Sequence, residues 1–137
     1  MGGEIIQITI KTPINPTEDW NKVSKCLENI IHNPIIKKEE MHLIVRNSRI
    51  DLLSLIREKL KTQRIRDSAR KILFKSIDLD SLTFHLNKQA AFIGRIHFVT
   101  NPEREDFLGP ITITIEATEK EIKEIINWLT MVDFEVD

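Results

Sequence analysis

The chain has 137 residues, of which 41% are hydrophobic and 30% are charged, and its formal net charge is −1 at pH 7. This length and composition suit a single globular domain over residues 1–137, with one hydrophobic core. The near-neutral charge excludes a polycation, and no apolar run approaches the roughly 18 residues that a membrane-spanning helix needs.

The first third of the chain predicts a strand, a helix and a second strand. Isoleucines alternate with polar residues over Ile6–Lys11, a pattern typical of a half-buried strand. Apolar residues recur at helical spacing from Trp20 to Ile31, so we predict an amphipathic helix there, with Thr17 as its N-cap. Asn33–Pro34 ends this helix, and residues 35–46 predict the second strand.

A long helical region follows from about residue 49 to residue 76, and its apolar residues fall into two stripes. The first stripe holds Leu53, Ile56 and Leu60, and the second holds Ile65, Ala69, Ile72 and Leu73. At about 100° per residue, the second stripe points away from the first by more than about a third of a turn. A straight helix cannot bury both stripes against one sheet, so we predict a break near Lys61–Gln63, with Thr62 capping the second helix.

The C-terminal half predicts a hairpin, a further strand and a last helix. We expect the hairpin to turn near Gln89–Ala90, because apolar residues keep one parity on both sides of that turn. Those residues are Phe84, Leu86, Phe92, Ile96 and Phe98. Ile111–Glu116 alternates isoleucine with polar residues, and Thr118 is a suitable N-cap for a helix that ends near Leu129.

The predicted strands alternate cleanly between apolar and polar residues, which is typical of sheets with one face covered and one face open to water. We therefore predict an α+β fold, a two-layer sandwich in which a mostly antiparallel sheet has helices packed on one face. The polar face of such a sheet is then a surface in its own right.

The most distinctive functional feature is a basic segment, residues 57–75, with eight basic and two acidic residues in a chain whose net charge is −1. Arginine suits bidentate contact with phosphate, so we expect the segment to bind a polyanion, most naturally the backbone of RNA or DNA. The phosphate-binding candidates are Arg64, Arg66, Arg70 and Lys71. The alternative is a solvated helix face in which Asp67 pairs with Arg70 or Lys71.

A second candidate lies at Asn87, Lys88 and Gln89, where amide and ammonium groups come together at a strand end. Amides can contact bases or ribose hydroxyls, and lysine can neutralise phosphate, so these residues complete the predicted nucleic-acid-binding set. The alternative is that the two amides satisfy the backbone of the turn. The phenylalanines of the predicted hairpin share the apolar parity, so we expect contacts with the RNA backbone and its shape in preference to base stacking.

No arrangement of residues predicts catalysis or a metal site. His85 and His97 are expected to share the polar face of the hairpin with Arg95, but no third ligand has suitable spacing, so we interpret them as residues facing water. Glu18–Asp19 suits the first turn of a helix, where the dipole favours carboxylates. We expect no enzyme activity and no cofactor. Cys26 is the single cysteine and cannot form an internal disulfide, so the expected compartment is the cytoplasm.

Four motifs, in order and in register, resemble those of the archaeal uncharacterised protein family 0201. They are PINPTED at residues 13–19, QRIRDSAR at 63–70, LNKQAA at 86–91 and LGPI at 108–111. Ser68 stands where the family pattern has threonine. The resemblance implies a two-layer α+β fold similar to that of large-subunit ribosomal protein five, and it implies RNA binding without an established activity.

These observations favour an RNA-binding protein that contacts the nucleic-acid backbone through a basic helix. One alternative is a protein-interaction or self-assembly module, in which strand edges or the polar sheet face pair with a second copy as a homodimer. A third and less favoured hypothesis is an enzyme directed at a phosphoester, which requires a deep pocket joining Arg66, Asp67 and Asn87.

Overall fold

The computed structural model describes residues 6–102 and 108–130, and these form a six-stranded sheet with helices packed on one face. The strands are β1 (Gln7–Pro13), β2 (Lys37–Glu39), β3 (His42–Asn47), β4 (Ile77–Asp78), β5 (Ser81–Leu86) and β6 (Ile111–Glu116). The helices are α1 (Trp20–Ile30), α2 (Ser54–Thr62), α3 (Arg66–Lys75), α4 (Lys88–Phe92) and α5 (Glu119–Thr130), with a 3₁₀ helix (Ile50–Leu53) before α2. No helix of this described part is long and apolar enough to cross a membrane.

The strand order across the sheet is β2-β3-β1-β6-β5-β4, and every neighbouring pair is antiparallel. β1 and β6 lie at the centre, where Ile10 is paired with Val45 on one side and with Ile113 on the other. The predicted α+β class and antiparallel sheet are therefore confirmed.

One face of the sheet carries the hydrophobic core, because buried residues alternate along β1, β5 and β6 as predicted. The buried sheet residues include Ile8, Ile10, Leu43, Val45, Leu82, Phe84, Ile113 and Ile115. Fully buried helical residues, among them Leu27, Leu60, Leu73 and Ile126, cover this face. The opposite face is mainly polar and carries Thr9, Lys11, Thr83, His85, Thr112 and Thr114, together with the buried Ile44 beside Lys11.

Side-chain caps explain where α1 and α5 begin. Asp19 caps α1, and not Thr17 as the sequence predicted, because Asp19 Oδ1 accepts a hydrogen bond from the Asn21 N–H at 2.9 Å. The predicted cap of α5 is confirmed, since the Glu121 N–H donates to Thr118 Oγ1 at 3.1 Å. The Thr118 N–H donates in return to Glu121 Oε1 at 3.0 Å, which completes a capping box.

The prediction of one strand over residues 35–46 is wrong, because this stretch is a hairpin of β2 and β3. Glu40 lies between the two strands with a φ of 56°, and this left-handed conformation reverses the chain. All three residues of β2 are exposed, and Glu39 forms an ion pair of 2.8 Å with Arg46 of β3. The hairpin thus ends the sheet with a charged edge strand.

The predicted hairpin over residues 84–98 is also wrong, since only one bridge, between Leu86 and Phe98, joins its two sides. The short helix α4 replaces the turn. Asn87 Oδ1 accepts a hydrogen bond from the Ala90 N–H at 2.7 Å and so caps this helix. The residues after the cap are good helix formers, and their propensity decides the local structure.

The predicted break in the long helical region is confirmed. α2 ends at Thr62 and α3 begins at Arg66, and both helices pack against α5. The predicted capping role of Thr62 is wrong, because its hydroxyl donates back to the Lys59 carbonyl at 3.3 Å. The change of direction lets both apolar stripes reach the same core.

Candidate nucleic-acid interface

The turn between α2 and α3 has the hydrogen-bond pattern of a Schellman motif. The Arg64 N–H donates to the Lys61 carbonyl at 3.1 Å, and the Ile65 N–H donates to the Leu60 carbonyl at 3.1 Å. Arg64 itself has a φ of 60°, the left-handed conformation that this motif requires. We call this turn, residues 63–65, the helix junction.

Arginine is an unusual residue at this position. A side chain on a left-handed residue crowds the backbone and costs about 1 kcal/mol or more, which is why glycine is preferred there. The Arg64 side chain is nevertheless exposed to solvent. The strained backbone therefore presents a guanidinium to solvent at the end of α2.

The side chain of Gln63 fixes a distant segment to the helix junction. Its Nε2 donates to the Ile96 carbonyl at 2.9 Å, and its Oε1 accepts from the Ile96 N–H at 2.7 Å, across 33 residues of sequence. Ile96 is buried, whereas its neighbours Arg95 and His97 are exposed. The backbone N–H and the carbonyl of Ile96 are thus both bonded to the side-chain amide of Gln63. We therefore call residues 94–97 the pinned segment.

The pinned segment also contacts the cap of α4. The Asn87 N–H donates to the His97 carbonyl at 2.9 Å, and the Arg95 N–H donates to the Ala90 carbonyl at 2.9 Å. The two stretches in which the sequence placed its candidate residues are thus connected through the pinned segment. Nothing in the sequence pattern indicates this connection, because Gln63 and Ile96 belong to separate elements.

The structure brings the predicted residues into different environments. Arg64, Lys71 and Gln89 are exposed, and Arg66 and Asn87 are half-buried. Asn87 serves as the cap of α4, so the structural alternative for this amide is correct. On α3, the exposed residues Ser68, Lys71 and Lys75 lie opposite the buried Ala69 and Leu73.

Lys88 lies inside the protein. Its side chain is 3% exposed, and its ammonium donates to the Pro13 carbonyl at 2.7 Å and to Glu18 Oε1 at 2.9 Å. Burial raises the pKa of the Glu18 carboxyl, but hydrogen bonds from Asn15 and Lys88 outweigh that effect and hold the pKa below its ordinary value. The ammonium predicted to neutralise phosphate thus neutralises an internal carboxylate.

Three of the four sequence motifs meet around this ion pair. Asn15 Nδ2 donates to the Leu108 carbonyl at 2.6 Å and to Glu18 Oε1 at 2.9 Å. Gly109 has a φ of 84°, and a Cβ added to it would lie 2.5 Å from Pro13 Cγ. Residues 13–19, 86–91 and 108–111 therefore form one packed joint, which explains these motifs in structural terms.

Two arginines of the basic segment hold α5. Arg57 Nε donates to the Trp128 carbonyl at 2.7 Å, and its guanidinium lies 5.3 Å from the centre of the Trp128 ring. Arg70 Nη1 donates to Thr130 Oγ1 at 3.2 Å, and its guanidinium lies 4.9 Å from the centre of the Phe74 ring. Part of the positive charge in residues 57–75 thus serves the packing of helices.

The histidines do not form the pair that the sequence suggested. His85 lies on the open sheet face, where Nδ1 is 2.9 Å from Thr112 Oγ1, and burial lowers its pKa. His97 is exposed in the pinned segment, and its carbonyl accepts a hydrogen bond from the Asn87 N–H. Within residues 6–102 and 108–130, no group of three or more histidine, cysteine or carboxylate side chains could hold a metal ion.

A groove of about 340 Å³ lies between α1 and α4 and is lined by residues such as Val23, Cys26 and Phe92. The Cys26 thiol donates to the Lys22 carbonyl at 3.3 Å, and burial raises its pKa, which disfavours the reactive thiolate. Neither Arg66 nor Asp67 lines this groove. It is therefore not the pocket that the phosphoester hypothesis requires.

A family model described as RNA binding matches residues 7–117. The open antiparallel sheet with helices on one face, together with this match, defines the class: an α+β protein of an RNA-binding family. The UPF0201 protein of Sulfurisphaera tokodaii is 38% identical over 128 residues, covering 90% of this chain and 86% of that protein. The UPF0201 protein of Aeropyrum pernix is 35% identical over 129 residues, covering 90% and 84%.

The solved structures agree with the sequence comparison. The crystal structure of a UPF0201 protein from Methanococcus jannaschii superimposes with a TM-score of 0.76 at 31% identity, covering 90% of this chain and 98% of that chain. The chain belongs to the archaeal UPF0201 family, as the motif resemblance predicted.

Proposed function

We propose that this protein binds RNA without catalysis and contacts the phosphate backbone through the helix junction and the exposed face of α3. The residues in contact are Arg64, Arg66 and Lys71, with Gln89 adding a polar contact. Arg70 contributes only the N–H groups that Thr130 leaves available, and Lys88 makes no contact because it is buried. The exposed guanidinium of Arg64, on a backbone position that favours glycine, is the observation that carries this proposal.

Backbone contact fits the rest of the surface better than base stacking does. The open sheet face carries threonines with Lys11 and His85, whereas RNA-binding sheets that stack bases present aromatic rings. Phe84 and Phe98 pack against each other, with ring centres 5.9 Å apart, and Phe84 is buried. Shape and charge are then what the protein recognises.

The test is the affinity for a labelled RNA hairpin with single-stranded ends, measured by fluorescence anisotropy against salt concentration. We expect a steep loss of affinity with salt, because each phosphate contact releases about 0.7–0.9 of a counterion. Arg64→Ala with Lys71→Ala should weaken binding about tenfold or more and reduce the salt slope by about 1.5.

The matched control is Lys37→Ala with Lys38→Ala, which removes the same charge from the edge strand β2. We expect this variant to keep the affinity and the slope of the unmodified protein. No binding at low salt, or equal losses in the two variants, would contradict the proposal.

The alternative function is self-association through a strand edge or the open sheet face. The edge strand β2 does not favour strand pairing between copies, because Lys37, Lys38 and Glu39 are all exposed and charged edges resist such pairing. The surfaces left for a homodimer are the two-residue edge strand β4 and the open sheet face. Light scattering over a range of concentrations measures this directly, and a dimer whose formation blocks RNA binding would favour the alternative function.

A further inference from the structure

We infer that the pinned segment is a second arm of the RNA-binding surface, with Arg95 as a phosphate-contacting residue and Gln63 as the residue that positions it. The inference rests on the proposed function, because it extends the same surface. Neither residue belonged to the predicted nucleic-acid-binding set. The contacts of Gln63 are what join Arg95 to the helix junction.

The geometry of Gln63 suits a positioning role. Ile96 offers one donor and one acceptor, and the Gln63 amide satisfies both, at 2.7 Å and 2.9 Å. A carboxylate could accept from the Ile96 N–H but could not donate to the Ile96 carbonyl. The Ile96 side chain is buried and anchors the pinned segment in the core. Its neighbours Arg95 and His97 are exposed beside the helix junction.

Positive charge converges here from three separate elements. Lys59 comes from α2, Arg64 from the helix junction and Arg95 from the pinned segment. A Cβ built on Gly94 would lie 3.5 Å from Lys59 Nζ, which places that ammonium against the pinned segment. None of these three cations forms an ion pair with a carboxylate among residues 6–102 and 108–130.

A phosphodiester backbone is the partner that fits this cluster. Cations on adjoining segments that have no paired carboxylate attract a ligand with regularly spaced negative charges. The acidic residues nearest in sequence, Glu58 and Asp67, are exposed on α2 and α3. The Arg64 guanidinium supplies planar donors for one phosphate, and Arg95 supplies them for another.

The experiment measures the salt slope of RNA binding for Arg95→Ala and Gln63→Ala, with Gln7→Ala as a matched exposed glutamine in β1. Arg95→Ala should reduce the slope by about 1, the value for one phosphate contact. Gln63→Ala should reduce the slope by a similar amount although it removes no charge, because Arg95 then keeps its backbone bond to α4 but is no longer fixed beside the helix junction. A glutamine with only a structural role would not change the slope of the folded protein.

Binding is measured well below the unfolding temperature of each variant, as followed by circular dichroism. If Gln63→Ala does not fold, the result for Arg95→Ala alone decides, since Arg95 is exposed to solvent. If Arg95→Ala and Gln63→Ala leave the salt slope unchanged while RNA binding still depends on Arg64 and Lys71, the inference is overturned. The proposed function then stands.

If the unmodified protein does not bind RNA, both the proposed function and this inference are overturned. Polyglutamate serves as a competing probe. If it binds with the affinity and slope of RNA, the surface recognises acidic protein, and the inference is also overturned.

Discussion

The ammonium of Lys88 lies 2.9 Å from the carboxylate of Glu18, and their side chains are 3% and 13% exposed. The two residues are 70 positions apart in the sequence. Their pairing satisfies charges that would otherwise be costly to bury, and it ties α4 to the segment before α1.

Lys88→Met should destabilise the protein by about 3 kcal/mol, because it leaves the Glu18 carboxylate without its cation. Adding Glu18→Gln to this variant should recover much of the loss. Denaturant unfolding at pH 7 measures both changes. Lys22→Met, at an exposed lysine of α1, is the control and should change stability by less than about 0.5 kcal/mol. A loss below about 1 kcal/mol in Lys88→Met would contradict the view that the pair is buried.

The same carboxylate predicts a pH dependence. The pKa of Glu18 is lower in the folded protein than its ordinary value of 4.5, so the unfolded chain binds more protons in the window below that value. The stabilisation is complete above 4.5 and is lost as the pH falls through the folded-state pKa. Glu18→Gln should therefore flatten the stability curve in this range, and unfolding by urea at a series of pH values tests it. Glu124→Gln, at an exposed glutamate of α5, should leave the curve as it is.

Arg64→Gly should separate stability from binding. Glycine relieves the left-handed backbone, so we expect a gain of up to about 1 kcal/mol in the free energy of unfolding. RNA affinity should fall, because one phosphate contact is lost. Leu79→Gly is the matched control, since Leu79 is exposed, uncharged and has a φ of 57°. It should gain similar stability and keep its affinity, and a parallel loss of binding in both variants would argue against a role for the Arg64 guanidinium.

Two glycines offer a paired test of the packed joint. Gly109→Ala and Gly94→Ala both place alanine at a positive φ, 84° and 80° respectively. Only the first puts a Cβ 2.5 Å from Pro13 Cγ, whereas the second meets Lys59 Nζ at 3.5 Å. We expect Gly109→Ala to cost about 1–3 kcal/mol more than Gly94→Ala, from overpacking. Thermal unfolding of both variants gives this difference, and equal losses would show that Pro13 moves aside freely.

Much of the fold could be predicted from the sequence because it depends on patterns among residues that are close together in the chain. Alternation in β1 and β6 and the phase change between α2 and α3 are properties of neighbouring residues. α4 was missed although a signal existed, since Asn87 precedes four residues that favour helix or tolerate it. The apolar parity of the flanking residues also fits two paired strands, and that pattern predicted a hairpin in place of α4.

The candidate site could be predicted only in part, because its contacts are distant in sequence. The basic segment was visible as charge, but charge alone does not distinguish an exposed Arg64 from an Arg57 that lies against Trp128. Lys88 was predicted to bind phosphate because no acidic partner is evident near it in the sequence. Its actual partner, Glu18, lies 70 residues earlier. Pairing of Gln63 with Ile96 leaves no pattern in the sequence, since each residue is ordinary in its own element.

The position of β1 and β6 at the centre of the sheet has a consequence for synthesis of the chain. Ile10 pairs with Ile113, which the ribosome adds more than 100 residues later. Until β6 emerges, β1 has an open edge on that side, and β5 has no neighbour to join it to the N-terminal strands. The nascent chain therefore completes its sheet only after β6 has been synthesised, and the closing of this long loop is the step that should limit its folding rate.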